Sequence, residues 1–295
     1  MILLKNCLIA LCTLLVVTTA AHAQSQSPTN VVVDGNSGNK SETSIVVDPN
    51  NPEHLMATWN DFTNGTTSKP GWAFSTDGGT SWYTKGTITP STTYSYGFDP
   101  SCAIGRDGNE YYAYVATPSS GSHGPVDVSV STNDGQSWHT QQVSASSSDH
   151  DKPYIAVDTT TGNDSGNVYV AYQSSYIQQN DPNNPDIYIM LSTSPAGGSN
   201  WTRAVVDDVD VNSSQDNTIN MADPSVGPHG TVYVAYYVGT GTSDGPAEIR
   251  VAKSTSGGAN FKVIYTFSIS GAYQNYYGLA SGVFNPHHCG RSNQR

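Results

Sequence analysis

Charge is scarce in this sequence, and positive charge is scarcest. Asp, Glu, Lys and Arg make up 12% of the 295 residues, with 12 basic side chains against 24 acidic ones. The net charge of −12 repels nucleic-acid phosphates and anionic membranes, which excludes both as partners. Cysteine is nearly absent too. Of the four, Cys7 and Cys12 fall in an N-terminal leader, while Cys102 and Cys289 could form one bridge but no disulfide framework. The one long apolar run, Cys7 to Val17, is too short for a membrane-spanning helix, which needs about 20 residues. Lys5 precedes it and Ala21-His22-Ala23 follows, the layout of a secretory signal cut before Gln24. Leu11 stands before Cys12 where a lipid-attachment site needs a small residue, so no membrane anchor is expected. The mature chain is expected to be secreted, extracellular or periplasmic, with 11 basic side chains left once Lys5 is removed. Sustained helical periodicity with caps is missing as well.

What the chain has instead is 18 tyrosines, valine-rich stretches and abundant Gly, Asn, Ser and Thr, a composition for a packed core under a neutral polar surface. Short β-branched and aromatic runs broken by Gly, Asn, Asp and Pro read as strands. They recur. The turn Ser75-Thr76-Asp77-Gly78-Gly79-Thr80-Ser81-Trp82 returns as Ser131-Thr132-Asn133-Asp134-Gly135-Gln136-Ser137-Trp138. It returns again from Ser192 to Trp201 with two residues inserted, and from Ser254 through Gly258 to Phe261. The closing aromatics 82, 138, 201 and 261 are spaced by 56, 63 and 60 residues. Between the turns a second element repeats: Asp99-Pro100-Ser101 leads to Tyr111–Tyr114, Asp151-Lys152-Pro153 to Val168–Tyr172, and Asp223-Pro224-Ser225 to Val232–Tyr236. Glu42-Thr43-Ser44 followed by His54–Trp59 is a first copy. Each repeat holds four strands; in the third they are Tyr154–Asp158, Asn167–Gln173, Asp186–Leu191 and Trp201–Asp207. Four antiparallel strands at this period predict an all-β protein, a β-propeller of four-stranded blades. A tandem β-sandwich would use units of roughly 100 residues.

Residues 75–82 match S-x-D-x-G-x-[TS]-W at every defining position. On that motif and its copies the chain resembles the Asp-box, or bacterial neuraminidase repeat, β-propellers of the sialidase-like superfamily. The resemblance covers roughly residues 41–270 and implies a structural role for Ser75, Asp77, Gly79 and Trp82. The same role is implied for Ser131, Asn133, Gly135 and Trp138, for Trp201, and for Ser254, Gly258 and Phe261. An acid at the turn accepts backbone amides, glycine permits the tight bend, and the aromatic has a large apolar area to bury. The sialidase chemistry within that superfamily implies more: three arginines clamping the substrate carboxylate, a Tyr–Glu nucleophile pair and an Asp acid/base. The arginine set is not found. No arginine precedes Arg106, which falls in a hairpin turn; Arg203 and Arg250 fall on peripheral strands, and Arg291 and Arg295 in the tail.

The repeat alignment places Glu42, Asp99, Asp151 and Asp223 at the entrance of each innermost strand, where four acids could ring the axial opening. Such a ring could hold Ca2+, which takes oxygen ligands, or receive sugar hydroxyls with Trp59 and Tyr94 or Tyr96 as stacking faces. The plainer alternative is that the acids cap strand ends. His150 reads as a solvent-facing loop residue. The expected function is non-catalytic binding of an extracellular glycan, another polymer or a protein. The alternative is a glycoside hydrolase, narrowest as an exo-sialidase. The domain reading is a signal peptide 1–23, an N-terminal segment 24–40, propeller blades 41–284 and an unpatterned tail 285–295. Four blades are complete and a fifth starts at Tyr277-Gly278-Leu279-Ala280. Either the ring is truncated, or Asn30-Val31-Val32-Val33 closes it as an outermost strand.

Overall fold

Runs of β-branched and aromatic residues between glycine-bearing turns become sixteen strands, and the helical content among the described residues is one 3-10 turn at Pro228–Gly230. The structure is a computed structural model that describes residues 30–63, 65, 67–90, 94–118, 124–145, 149–176, 186–209, 217–240 and 247–269. The leader, Tyr277–Ala280, Cys289 and the tail 285–295 lie outside the described residues.

The strands form four antiparallel sheets, each a simple meander of four. The first holds β1 (Lys40–Val47), β2 (Leu55–Asp61), β3 (Lys69–Ser75) and β4 (Thr84–Thr87). The second holds β5 (Tyr96–Ile104), β6 (Glu110–Thr117), β7 (Val126–Ser131) and β8 (His139–Gln142). β9 (Asp149–Val157), β10 (Val168–Tyr176), β11 (Asp186–Ser194) and β12 (Thr202–Val209) make the third. β13 (Asn217–Val226), β14 (Val232–Thr240), β15 (Ala247–Ser254) and β16 (Lys262–Ile269) make the fourth. All sixteen strands belong to one compact unit that begins at Val32. The first strands of successive sheets lie beside one another, β1 by β5, β5 by β9 and β9 by β13, so they form the inner layer. Residues 30–33 lie in no strand, so the closing strand expected there is not seen; Val33 packs instead on the first sheet beside Ala57, Trp59 and Ala73.

Three cores separate the four sheets. Met56, Trp72 and Phe74 meet Ile104, Tyr112 and Tyr114 at the first boundary. Tyr111, Ala113 and Val128 meet Ile155, Val168 and Val170 at the second, and Tyr169, Ile189 and Leu191 meet Val232, Val234 and Tyr236 at the third. Because neighbouring side chains of a strand point to opposite faces, Tyr112 faces back to the first sheet while Tyr111 faces forward to the third. A strand sandwiched in this way is buried throughout, as β6 is from Glu110 to Thr117. This explains why its sequence is continuously apolar and aromatic instead of alternating.

The recurring turns between third and fourth strands are closed by local hydrogen bonds. Ser75 Oγ accepts from the Gly79 amide at 2.9 Å and donates to Asp77 Oδ1 at 2.8 Å. The Ser81 amide donates to Asp77 Oδ1 at 2.8 Å, and the Ser81 hydroxyl donates to Asp77 Oδ2. These Ser81 bonds, with Ser75 adding to them, hold the Asp77 carboxyl at a pKa of about 2. Asn133 substitutes: its Oδ1 accepts from the Ser137 amide at 3.0 Å, and Gly135 N donates to Ser131 Oγ at 2.9 Å. The fourth copy has a serine in the acid's place: the Ser256 amide donates to Ser254 Oγ at 3.2 Å and the Ser256 hydroxyl to Ala259 O at 2.7 Å. The second, third and fourth turns then dock on the preceding sheet. At Gly135 (φ 72°) a Cβ would stand 2.6 Å from the Trp72 ring, and at Gly258 (φ 88°) one would stand 2.7 Å from Thr193 Oγ1. The Gly197 amide donates to Tyr111 Oη at 3.1 Å across the second boundary. Trp138 lies against Trp72, Phe74 and Tyr112 with ring centroids 5.7, 6.5 and 6.4 Å away. Trp82 is only half-buried against the smaller cluster of its own sheet. Cys102 is buried at the first boundary, and burial pushes its thiol up to about 11.

Candidate functional site

Every inner strand carries one register irregularity near its start, and at each a non-glycine residue takes a left-handed backbone: Glu42 (φ 52°), Asp99 (φ 57°), Lys152 (φ 46°) and Met221 (φ 59°). A bulge inserts an extra residue, bends the strand and re-aims side chains. Here it turns three charged groups together. Lys152 Nζ donates to Glu42 Oε1 and to Asp99 Oδ1, each at 2.6 Å. Asn60 Nδ2 donates to Glu42 Oε2 at 3.0 Å. The inner strands of the first three sheets thus contribute one member each.

The electrostatics follow from the enclosure. Burial raises the Glu42 pKa, and a hydrogen bond and charge repulsion from Asp99 add to it, with Lys152 opposing. Burial pulls the Lys152 ammonium down, but Asp99 and Glu42 outweigh that and hold it above its ordinary value. Tyr154 is raised by burial within the same field of Lys152, Asp223, Asp99 and Glu42. The expected four-acid ring is therefore corrected. Glu42 and Asp99 do converge, but the third bulge carries Lys152 instead of Asp151. Asp151 sits one residue earlier and accepts from Asn220 Nδ2 at 2.9 Å. In the fourth sheet the bulge falls at Met221, and Asp223 pairs in register with Ala235. The Lys152 ammonium stands where the Ca2+ expectation put a cation, so the two carboxylates share one counter-charge.

Trp59 is corrected as a stacking face. It is 4% exposed, with its indole NH 3.4 Å from Asp61 Oδ2, and it lines a cleft of about 200 Å3 at the end of the first sheet. Lys40 crosses the same corner, 3.1 Å from Asp61 and 3.4 Å from Asp34. Burial would raise the Asp61 pKa, but hydrogen bonds from Thr63 and Lys40 outweigh it and the net shift is downward. His150 is also corrected: it lies on β9, 2% exposed, edge-on to Tyr172 with centroids 5.1 Å apart. Its Nε2 is 2.9 Å from Ala145 O, and burial lowers its pKa. Phe62 and Phe98 were not anticipated. Both are half-buried with centroids 6.2 Å apart, and Phe98 precedes the Asp99 bulge. Their adjacency crosses two sheets, so only the Lys152 position, an odd cation among repeated acids, offered a signal in the sequence.

The described arginines do not converge here. Arg106 is in the β5–β6 turn, where its carbonyl accepts from Asn50 Nδ2 at 2.7 Å. Arg203 is exposed on β12, and Arg250 on β15 is bound to Asp207 at 3.0 Å and Glu248 at 2.9 Å.

No family model and no curated protein matches the sequence. Solved structures do match the fold. The Penicillium chrysogenum α-L-arabinanase complexed with arabinobiose superposes with a TM-score of 0.57 at 14% identity, over 76% of this chain and 66% of that one. The Hadza microbial sialidase Hz136 gives 0.51 at 15% identity over 76% and 46%. The NanB sialidase of Streptococcus pneumoniae gives 0.54 at 9% identity over 85% and 55%. The fold is a β-propeller. The chain spans about two thirds of the arabinanase and about half of the two sialidases. In the propeller frame the four sheets are blades, with β1, β5, β9 and β13 as their inner strands.

Proposed function

We propose that this chain is a secreted Asp-box propeller that binds a glycan or another extracellular polymer or protein at its axial face without cleaving it. The observation that carries this reading is the Glu42–Lys152–Asp99 cluster. Glu42 and Asp99 are within hydrogen-bonding reach of each other and share one ammonium. Carboxylates that flank a scissile glycosidic bond stand about 5–5.5 Å apart in retaining enzymes and farther in inverting ones. A pair bridged by one ammonium is suited to hydrogen-bonding hydroxyls, and the half-buried Phe62 and Phe98 supply apolar surface beside it. The scattered arginines support the same side of the argument, because a carboxylate clamp needs them together.

The second reading, a glycoside hydrolase with exo-sialidase as its narrowest form, draws on the arabinanase and sialidases whose fold the chain shares. One experiment separates the two. Purified protein is screened on glycan and polysaccharide arrays and assayed with fluorogenic arabinosides and sialosides. Binding that Phe98→Ala weakens, with no aglycone release, is expected. Turnover abolished by Asp99→Asn would replace the binding reading with the hydrolase.

A further inference from the structure

A different polar cluster lies at the boundary of the first two blades. His54, just before β2, Glu110, the first residue of β6, and Asp134, in the β7–β8 turn, bring one donor atom each within 4.8 Å of one another. Val168 and Val232 occupy the position of Glu110 in the later blades and are fully buried, so the fold does not need a carboxylate there. Glu110 is 2% exposed. Its Oε1 accepts the Asp134 amide at 3.3 Å, and its Oε2 is buried with no hydrogen-bond partner.

The histidine sharpens the case. His54 Nδ1 is 3.3 Å from Asp48 Oδ2, and its ring stacks on Phe74 with centroids 5.7 Å apart, so the imidazole is held from two sides. Its Nε2 stands 3.1 Å from Asp134 Oδ1 but is not aligned as a hydrogen bond. A neutral imidazole carries one NH. With that NH on Asp48, Nε2 turns a lone pair toward two carboxylates, which is repulsive unless positive charge lies between them. A divalent ion held between Nε2, Glu110 and Asp134 would turn that repulsion into ligation.

We propose that His54, Glu110 and Asp134 bind one divalent metal of the zinc class, clamping the first blade to the second. The donor set selects the metal. Imidazole nitrogen with two carboxylates suits Zn2+ at about 2.0–2.2 Å, whereas Ca2+ takes 6–8 oxygens that three side chains do not supply. Asp48 is the carboxylate behind the histidine that fixes its tautomer and raises its basicity. The Asp134 side chain is 45% exposed, which leaves an entry path and room for water as fourth ligand.

The test uses the full chain, stripped with chelator and titrated with Zn2+, Co2+, Ca2+ and Mg2+. The proposal expects one zinc per chain by elemental analysis and a higher Tm with Zn2+ but not with Ca2+ or Mg2+. It also expects the intense visible absorption of four-coordinate Co2+. Asp134→Asn keeps a residue that tolerates the left-handed backbone at φ 52°, so it should fold with the parental circular dichroism. In Asp134→Asn and His54→Gln the cobalt band and the Tm response should vanish; Asp48→Asn should weaken zinc about 10–100-fold. A parent that holds no zinc and melts unchanged would overturn the site. A zinc response undiminished in both ligand variants would overturn it by placing the ion elsewhere.

Discussion

Asp127 offers the most quantitative test of the packing. It sits on β7, opposite Tyr114 of β6 and Gln142 of β8, and is 1% exposed. Its Oδ2 is buried without a hydrogen bond. Burial pushes its pKa from 3.8 up to about 7. The folded state therefore binds this proton more tightly than the unfolded chain, and folding is favoured where the carboxyl is neutral. As pH rises from about 4 to about 7 the unfolded state ionises first, and stability falls by up to about 1.4 kcal/mol per unit. Over that window the loss comes to roughly 3–4 kcal/mol. Asp127→Asn keeps the shape and removes the ionisation, at a cost of about 1 kcal/mol for an imperfectly bonded amide. The variant should thus be slightly less stable than the parent at pH 4 and about 2–3 kcal/mol more stable at pH 8. Urea unfolding of both proteins at matched ionic strength, from pH 4 to 8, reads this as crossing stability curves. Parallel curves, or a variant weaker at pH 8, would refute the claim that burial dominates this carboxyl.

Three further outcomes follow from the same packing. Trp138→Ala, which empties the cluster with Trp72, Phe74 and Tyr112, should cost about 3 kcal/mol, whereas Trp82→Ala, equally half-buried but set on a smaller cluster, should cost about 1–2; equal losses in urea midpoints would contradict the difference in partners. Lys152→Met strands Glu42 and Asp99 and should cost about 1–3 kcal/mol, less than a fully buried pair because Glu42 is 41% exposed. Added Ca2+ should raise the Tm of that variant more than that of the parent, measured side by side. Asp77→Asn should melt close to the parent, since Asn133 already closes an equivalent turn, while Asp77→Ala should melt lower; identical melting of the two variants would deny the Oδ1 acceptor its role.

The parts of this molecule that were legible in the sequence are those made by neighbours along the chain. Serine, acid and glycine within a few residues close each turn, so the turns and the strands beside them could be placed; the third blade was expected at Tyr154–Asp158, Asn167–Gln173, Asp186–Leu191 and Trp201–Asp207. The observed strands start or end a few residues away, with β9 running back to Asp149. That extension is what buries His150, expected in a loop. The axial site was half legible. Acid recurrence pointed to Glu42 and Asp99, but which residue a bulge displaces depends on how β9 and β13 pair with β10 and β14. Asp223-Pro224 reads like Asp99-Pro100, yet the extra residues of β13 fall before it, between Asn220 and Asp223. Trp59, Phe62 and Phe98 show the same limit, because exposure and pairing across sheets are settled by partners distant in sequence.

Burial in a fold of this kind belongs to the boundary between blades more than to the residue. Tyr111, Tyr169 and Tyr233 occupy one repeat position, each followed by Tyr or Val, then Ala and Tyr. Tyr111 and Tyr169 are fully buried because the turn of the following blade closes over them, through Gly197 and Gly198 in one case and Gly258 in the other. Tyr233, in the fourth blade, stays half-exposed, with the Lys253 ammonium 5.9 Å from its ring centre. In a repeat architecture each unit is stabilised by its own strands and by its nearest neighbours, so identical tyrosines have different energetic weight. The polar cluster of His54, Glu110 and Asp134 fits this logic. It lies at a boundary, its Glu110 stands where the later blades carry buried valines, and it couples the first blade to the turn that the second blade lays against it.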